Sequence, residues 1–242
     1  MNIEMMKTNL SEPKQGIFEP KHPVPYVRIR MEKNIFFIDS KYEAEGKILF
    51  KFFGFGEYRT IKSNHLNVFK VTQQDNAMNE SDLKNLNKEK SVLFLSIYEV
   101  YFLVGILDKG IIEPEINKND LWLHLSSLFE GNNFGIYFSV YLNYRAKLWI
   151  IRDGSLYGAD FVLYEDHPDL VHSKYLIKIV KNWNVLKESS HILINLLRIG
   201  WTVHKEVILV CVSNQDEIDF SDPSNIQNVE IEGIQAKRLK GN

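Results

Sequence analysis

Tyr164, His172 and Lys205 have side-chain types that together could move protons and steady a developing negative charge. A phenol must ionise before it can accept a proton. Its ordinary pKa near ~10 sets about 4 kcal/mol against that at neutral pH. A nearby ammonium offsets part of this cost by favouring the anion. An imidazole with an ordinary pKa near ~6.5 can hold a proton for a departing oxygen. A lysine ammonium is a compact point charge suited to phosphate oxygens as charge accumulates on them. Tyr164 ends the run 158–164, His172 follows in Val171-His172-Ser173, and Lys205 precedes the apolar run Glu206–Val212. All three are expected at strand ends or loop edges, where a rigid scaffold presents side chains to a cleft. Taken singly, each has an ordinary structural reading: amphipathic packing for the Tyr, a surface role for the His, a solvated cation for the Lys. Spacing alone does not bring them together.

The elements that must position these residues follow from patterning. Residues 1–25 carry Pro13, Pro20, Pro23 and Pro25 without an apolar period, and read as a poorly ordered arm. Val27–Arg30 and Ile35–Ile38 suit short strands joined by a polar turn at Glu32–Asn34. The polar stretch Thr72–Lys90 reads as a loop. Ser96 to Leu107 has helical periodicity, with Ser96 and Glu99 at capping-box spacing. Asp120 is a candidate cap for a second helix, Leu121–Phe129. Further on, Phe138–Leu148 and Ser189–Ile199 read as helices. Trp149–Arg152 and Gly158–Tyr164 read as paired strands, Lys174–Val180 and Val229–Ile234 as further strands, and Glu206–Val212 as a central one. The expected organisation is an arm over 1–25, a small α+β domain over 26–130 and a mixed-sheet α/β domain over 131–242.

Composition limits the function classes. The formal net charge of −2 provides no global basic field, so contact with nucleic acid must come from a local patch or a partner. Cys211 is the single cysteine and lies in an apolar run, which excludes an internal disulfide and suits a reducing compartment. No Cys/His pair has zinc-ligand spacing. No apolar stretch reaches the ~18 residues of a membrane span, and the first 25 residues lack a signal-peptide core. A soluble intracellular protein with no cofactor and no metal is the expectation.

The local wording around the three residues goes further. Tyr157-Gly158-Ala159-Asp160-Phe161-Val162-Leu163-Tyr164, then His172-Ser173-Lys174-Tyr175-Leu176, then Arg198 with Lys205-Glu206 seven positions beyond it, resemble in order the signature blocks of the tRNA-splicing (tRNA-intron) endonuclease family. Upstream, Phe53-Gly54-Phe55-Gly56, Glu99-Val100-Tyr101-Phe102-Leu103 and Leu121-Trp122 resemble motifs of the larger eukaryotic catalytic subunit, assigned to the 5′ splice site. The resemblance implies a restriction-endonuclease-like catalytic domain and metal-free transesterification by the RNA's own 2′-hydroxyl. The products are a 2′,3′-cyclic phosphate and a 5′-hydroxyl. Tyr164 then matches the general base, His172 the general acid and Lys205 the stabiliser of the phosphorane. Asp160 and Glu206, which metal-dependent nuclease chemistry would need, belong to the resembling blocks, where a structural role suffices.

The resemblance also implies partners: precursor tRNA and the other subunits of a heterotetramer, in the nucleus. Arg198 matches a residue that clamps a flipped bulge base. The aromatic expected near the C-terminus is missing, and Arg238 or Lys237 is the substitute, since a guanidinium can stack on a base. Between Ser213 and Glu232 lie six acidic residues and no basic one, a candidate loop for a basic groove on a partner. His167 is an alternative acid, and His204 is expected on the strand face opposite Lys205. The rival readings are the other catalytic subunit, a homo-oligomeric nuclease and a non-catalytic scaffold subunit.

Overall fold

The computed structural model describes residues 3–8, 10, 23–62, 89–129, 134–184 and 190–238. The chain divides into two compact units. One takes Val24–Lys51 and Phe55–Ile116. The other takes Asn117–Asn242 with Met1–Pro23 and Phe52–Gly54. The C-terminal unit therefore starts earlier than residue 131, because the helix after Asn117 packs within it.

The N-terminal unit is built on a mixed five-stranded sheet. A hairpin of β2 (Val27–Glu32) and β3 (Ile35–Ile38) turns through Lys33 and Asn34, both at positive φ (48° and 67°), as a twist-matched tight hairpin needs. Further strands β4 (Glu57–Lys62), β5 (Glu89–Leu95) and β6 (Gly110–Glu113) complete the order β4-β5-β3-β2-β6. Helix α1 spans Glu43–Phe53. The helix expected from Ser96 is present as α2 (Ile97–Tyr101), continued by a π-helical turn over Phe102–Ile106. Its capping box is formed: Ser96 Oγ accepts from Glu99 N at 3.2 Å and Glu99 Oε2 from Ser96 N at 2.8 Å. The predicted loop Thr72–Lys90 lies outside the described residues except at Glu89 and Lys90, which open β5.

The C-terminal unit is a six-stranded mixed sheet in the order β1-β11-β10-β9-β8-β7. Its strands are β1 (Ile3–Lys7), β7 (Ile150–Asp153), β8 (Phe161–Tyr164), β9 (Tyr175–Val180), β10 (Glu206–Val212) and β11 (Ile231–Arg238). β10 is central as its apolar run predicts, parallel to β9 and antiparallel to β11. Alternation sorts the side chains onto two faces. Val162, Leu176, Val207, Leu209 and Ala236 pack with Leu196 and Leu197 of helix α5 (Ser190–Thr202). On the other face, Phe161 meets Tyr137 and Tyr141 of helix α4 (Phe134–Ala146) at ring-centroid distances of 6.2 and 6.5 Å.

Four expectations are corrected. Ile3–Lys7 does not belong to a disordered arm; it pairs antiparallel with the outer edge of β11, a long-range contact that five mostly unpatterned residues do not announce. Helix α3 runs Lys118–Ser127 with Asn117, not Asp120, as its cap: Asn117 Oδ1 accepts from Asp120 N at 2.9 Å. α4 starts at Phe134 rather than residue 138. Phe134 and Phe138 pack edge-to-face against Trp122 of α3, with ring centroids 4.9 and 5.8 Å apart, so burial on several sides obscures the helical period. β11 runs on to Arg238 because β1 and β10 supply hydrogen-bonding partners on both edges.

Candidate active site

The strand directions gather the three chemistry-bearing residues at one end of the C-terminal sheet. β8 ends at Tyr164; β9 and β10, parallel to each other and antiparallel to β8, begin just after His172 and Lys205. Leu163 is in register with Tyr175, and Tyr175 with Glu206. The ladder extends past the strands: Lys174 N donates to Leu163 O at 2.8 Å and Glu206 N to Lys174 O at 3.0 Å. At about 4.8 Å per strand, the backbones of Tyr164 and Lys205 lie roughly 10 Å apart with the His172–Lys174 segment between them, a span that side chains can close on a phosphate.

Each residue is held by local structure. Tyr164 is half-buried and packs against the apolar cluster under α5. The connection from β8 to β9 is pinned at its base by the ion pair of Lys174 Nζ with Glu165, which holds the Lys174 pKa above its ordinary value. Inside it, His167 is buried; its carbonyl accepts from Leu170 N at 2.8 Å and Val171 N at 3.2 Å, and its Nδ1 accepts from Asp169 N at 3.2 Å. His172, by contrast, is exposed at the end of this loop. That difference distinguishes the two candidate acids: His167 is held inside the loop and His172 is exposed to solvent.

Lys205 is placed by the turn from α5 to β10. Lys205 N donates to Gly200 O at 2.8 Å, and a Cβ at Gly200 would stand only 3.0 Å from Lys205 O. His204 takes the left-handed conformation (φ 55°) needed to make the turn and is exposed. It is therefore a turn residue, and not the opposite face of a strand as expected. Lys205 is only 8% exposed, and its Nζ donates to the Ser173 carbonyl at 2.9 Å, beside His172. The Ser173 hydroxyl is buried with no hydrogen-bond partner among the described residues. Burial pushes the Lys205 pKa down.

The other predicted residues divide. Arg198 is exposed on α5, where its carbonyl accepts from Thr202 Oγ1 at 2.9 Å. Arg238 lies on β11 opposite Ile3, two residues past Ala236, which is in register with Val207; its backbone thus reaches the Lys205 end of the sheet. Asp160 accepts from Ile179 N at 2.6 Å and Lys178 Nζ at 2.9 Å, and Tyr137 Oη approaches it at 3.5 Å. Burial first, then Asp160, pushes the Tyr137 pKa up to about 12. Glu206 accepts from the Gln235 side-chain amide. Both carboxylates thus have structural partners. Among the described residues no three His, Cys, Asp or Glu side chains cluster as metal ligands, and no helix is long and apolar enough to cross a membrane.

Two features escaped the sequence reading. Tyr157 was legible only as part of a signature block, yet its ring lies under the Lys205 ammonium, 5.4 Å from centroid to Nζ. The acidic stretch is not a freely solvated loop. Trp122 Nε1 donates to Phe220 O at 2.9 Å, and the Phe220 ring fills the space left by Gly135, where a Cβ would stand 2.4 Å from Phe220 Cδ1.

Residues 134–220 match the family model for the tRNA intron endonuclease, catalytic C-terminal domain, an interval that contains Tyr164, His172 and Lys205. The chain is similar to a probable tRNA-splicing endonuclease subunit Sen2 of Oryza sativa, 28% identical over 62% of this chain and 54% of that protein. It is 38% identical to tRNA-splicing endonuclease subunit Sen2-1 of Arabidopsis thaliana, over 38% of this chain and 40% of that protein. These matches span about half or less of the plant relatives' length. The tRNA-splicing endonuclease of Methanopyrus kandleri is 30% identical over 52% of this chain and 70% of its own length. A match across most of the archaeal protein, with the catalytic-domain model lying over the sheet end just described, shows that the chain belongs to the tRNA-splicing endonuclease family.

Proposed function

We propose that this chain is a catalytic subunit of a tRNA-splicing endonuclease, cutting precursor tRNA at an intron boundary without a metal ion. One observation carries the reading: a nearly buried lysine ammonium sits on the Ser173 carbonyl, beside exposed His172 and two strands across from Tyr164. Tyr164 takes the proton from the 2′-hydroxyl adjacent to the scissile bond, and the resulting oxyanion attacks phosphorus. Lys205 stabilises the charge that builds on the equatorial oxygens. His172 protonates the departing 5′-oxygen, leaving a 2′,3′-cyclic phosphate and a 5′-hydroxyl. Arg198 and Arg238 are the proposed contacts to the bulge, Arg198 from the surface of α5 and Arg238 from the strand end beside Lys205.

The relatives named as Sen2 subunits support a subunit of a tRNA-splicing endonuclease; the larger catalytic subunit type, the 5′ splice site and work within a heterotetramer in the nucleus are proposed on the motif resemblance. The loop bearing Asp216, Glu217, Asp219 and Asp222 is exposed at these positions and suits a basic surface on another subunit.

The test is cleavage of an intron-containing precursor tRNA by the assembled complex in EDTA. Cutting should persist and leave cyclic phosphate ends. The His172→Ala complex should lose the 5′ cut alone and accumulate intron joined to 3′ exon. An absolute magnesium requirement or a 3′-hydroxyl product would overturn the chemistry. Loss of both cuts from an intact complex would point to a homomeric enzyme.

A further inference from the structure

The ammonium of Lys205 has an unusual environment for a buried cation. It is 8% exposed, and among the described residues no carboxylate pairs with it. An unpaired charge taken out of water is costly, and proteins normally offset the cost with a counter-ion. Here two neutral groups take that place: the Ser173 carbonyl at 2.9 Å and the face of Tyr157 at 5.4 Å.

Tyr157 is brought there by a rigid turn. Ser155–Tyr157 forms a single 3₁₀ turn closed by Gly158 in the left-handed conformation (φ 70°). Gly158 N donates to Ser155 O at 3.0 Å, and Tyr157 N and Ala159 N both donate to Gly154 O, at 2.9 and 3.1 Å. Gly154 is pressed against β8, where a Cβ would stand 2.9 Å from Phe161 N. The turn throws Leu156 into solvent, 85% exposed, and turns Tyr157 inward onto the apolar cluster shared by Val162, Leu176, Leu197 and Val207.

We propose that Tyr157 is a positioning residue for Lys205, its ring face and the Ser173 carbonyl together holding the ammonium in place for the scissile phosphate. This rests on the reading of Lys205 as the group that stabilises the phosphorane. The physical case is one of charge. A carboxylate would also hold the ammonium, but it would cancel the field that the phosphate must feel. The quadrupole of a ring attracts the cation and leaves its net charge intact, and it does so best where water is excluded. Burial already biases Lys205 toward the neutral form; the ring works against that bias without competing for the substrate.

The test uses the full chain with Tyr157→Phe and Tyr157→Leu. In NMR spectra of the full chain, the ε-methylene protons of Lys205 should carry an upfield ring-current shift, kept in Tyr157→Phe and lost in Tyr157→Leu. In single-turnover cleavage of precursor tRNA by the assembled complex, Tyr157→Leu should slow the chemical step about tenfold or more with little change in KM. Tyr157→Phe should recover most of that loss, because the face and not the hydroxyl is used. In a Lys205→Ala background, Tyr157→Leu should cost nothing further. Absence of the ring-current shift, a Phe variant as slow as Leu, or a full additional loss in the Lys205→Ala background would each overturn the inference. A wild-type complex that cleaves no precursor tRNA would sink the functional reading instead, while the NMR shift would still decide whether Tyr157 holds Lys205.

Discussion

Two polar connections of the same sheet are organised in opposite ways. The segment 165–174 joins β8 to β9 at the sheet end that carries Lys205; the segment 213–230 joins β10 to β11 at the other end. In the first, a buried cation rests on a main-chain carbonyl and an aromatic face. In the second, charge is acidic, exposed and dispersed. Asp219 caps Ser221 N at 2.9 Å, Asp222 caps Ser224 N at 2.8 Å, and Asn214 Oδ1 accepts from Glu230 N at 2.9 Å. Phe220 ties that loop to Trp122 and Gly135. The contrast separates two uses of charge. On the proposed function, the charge of Lys205 is kept out of water, where its field is strong, at a cost to the fold. The acidic charge proposed for docking stays hydrated and would act by number and placement.

The largest expected effect breaks the first arrangement. Lys205→Met keeps the stem and removes the ammonium, so cleavage should fall by about 10²–10³-fold. Stability should move the other way. The Lys205 pKa lies below 10.5 in the folded protein, so between the two values the unfolded chain binds more protons than the native one, and wild-type stability rises with pH across that window. The Met variant should therefore melt higher than wild type at neutral pH. Its advantage should shrink as pH climbs through the depressed pKa and vanish by about 10.5, the unfolded value. Melting curves across pH decide it; a Met variant less stable than wild type at pH 7 would contradict a strained catalytic cation.

An intermediate effect falls on the second connection. Phe220→Ala should cost about 2 kcal/mol, below the ~3–5 kcal/mol of truncating a fully buried aromatic, since Phe220 is only partly buried. The main-chain carbonyl that Trp122 Nε1 bonds is kept, but the ring that seats the loop on Gly135 is lost, so amide exchange in 213–230 should accelerate while 165–174 is unchanged. Equal acceleration in both segments would show that the two connections are coupled.

The smallest effect concerns docking. Asp216, Glu217, Asp219 and Asp222 replaced together by Asn or Gln should weaken association with partner subunits and flatten its salt dependence. Exposed charges contribute only about 0–1 kcal/mol each. Unchanged co-purification across a salt series would show that the interface lies elsewhere.

The strands that present the candidate residues were readable in the sequence because their information is local. The apolar run of β10, the capping pair Ser96–Glu99 and the signature blocks around Tyr164, His172 and Lys205 all depend on residues a few positions apart. The pairing of β1 with β11, the seating of Phe220 against Gly135, and the burial of His167 all depend on partners distant in sequence. So does the environment of Lys205. The types Tyr, His and Lys named a possible chemistry. Only the antiparallel return of β8 against β9, and the parallel alignment of β9 with β10, put the three at one sheet end. Periodicity reports which face a residue occupies; it carries no record of which strand lies next to it, and that adjacency is what sets the Ser173 carbonyl and the Tyr157 ring around the ammonium.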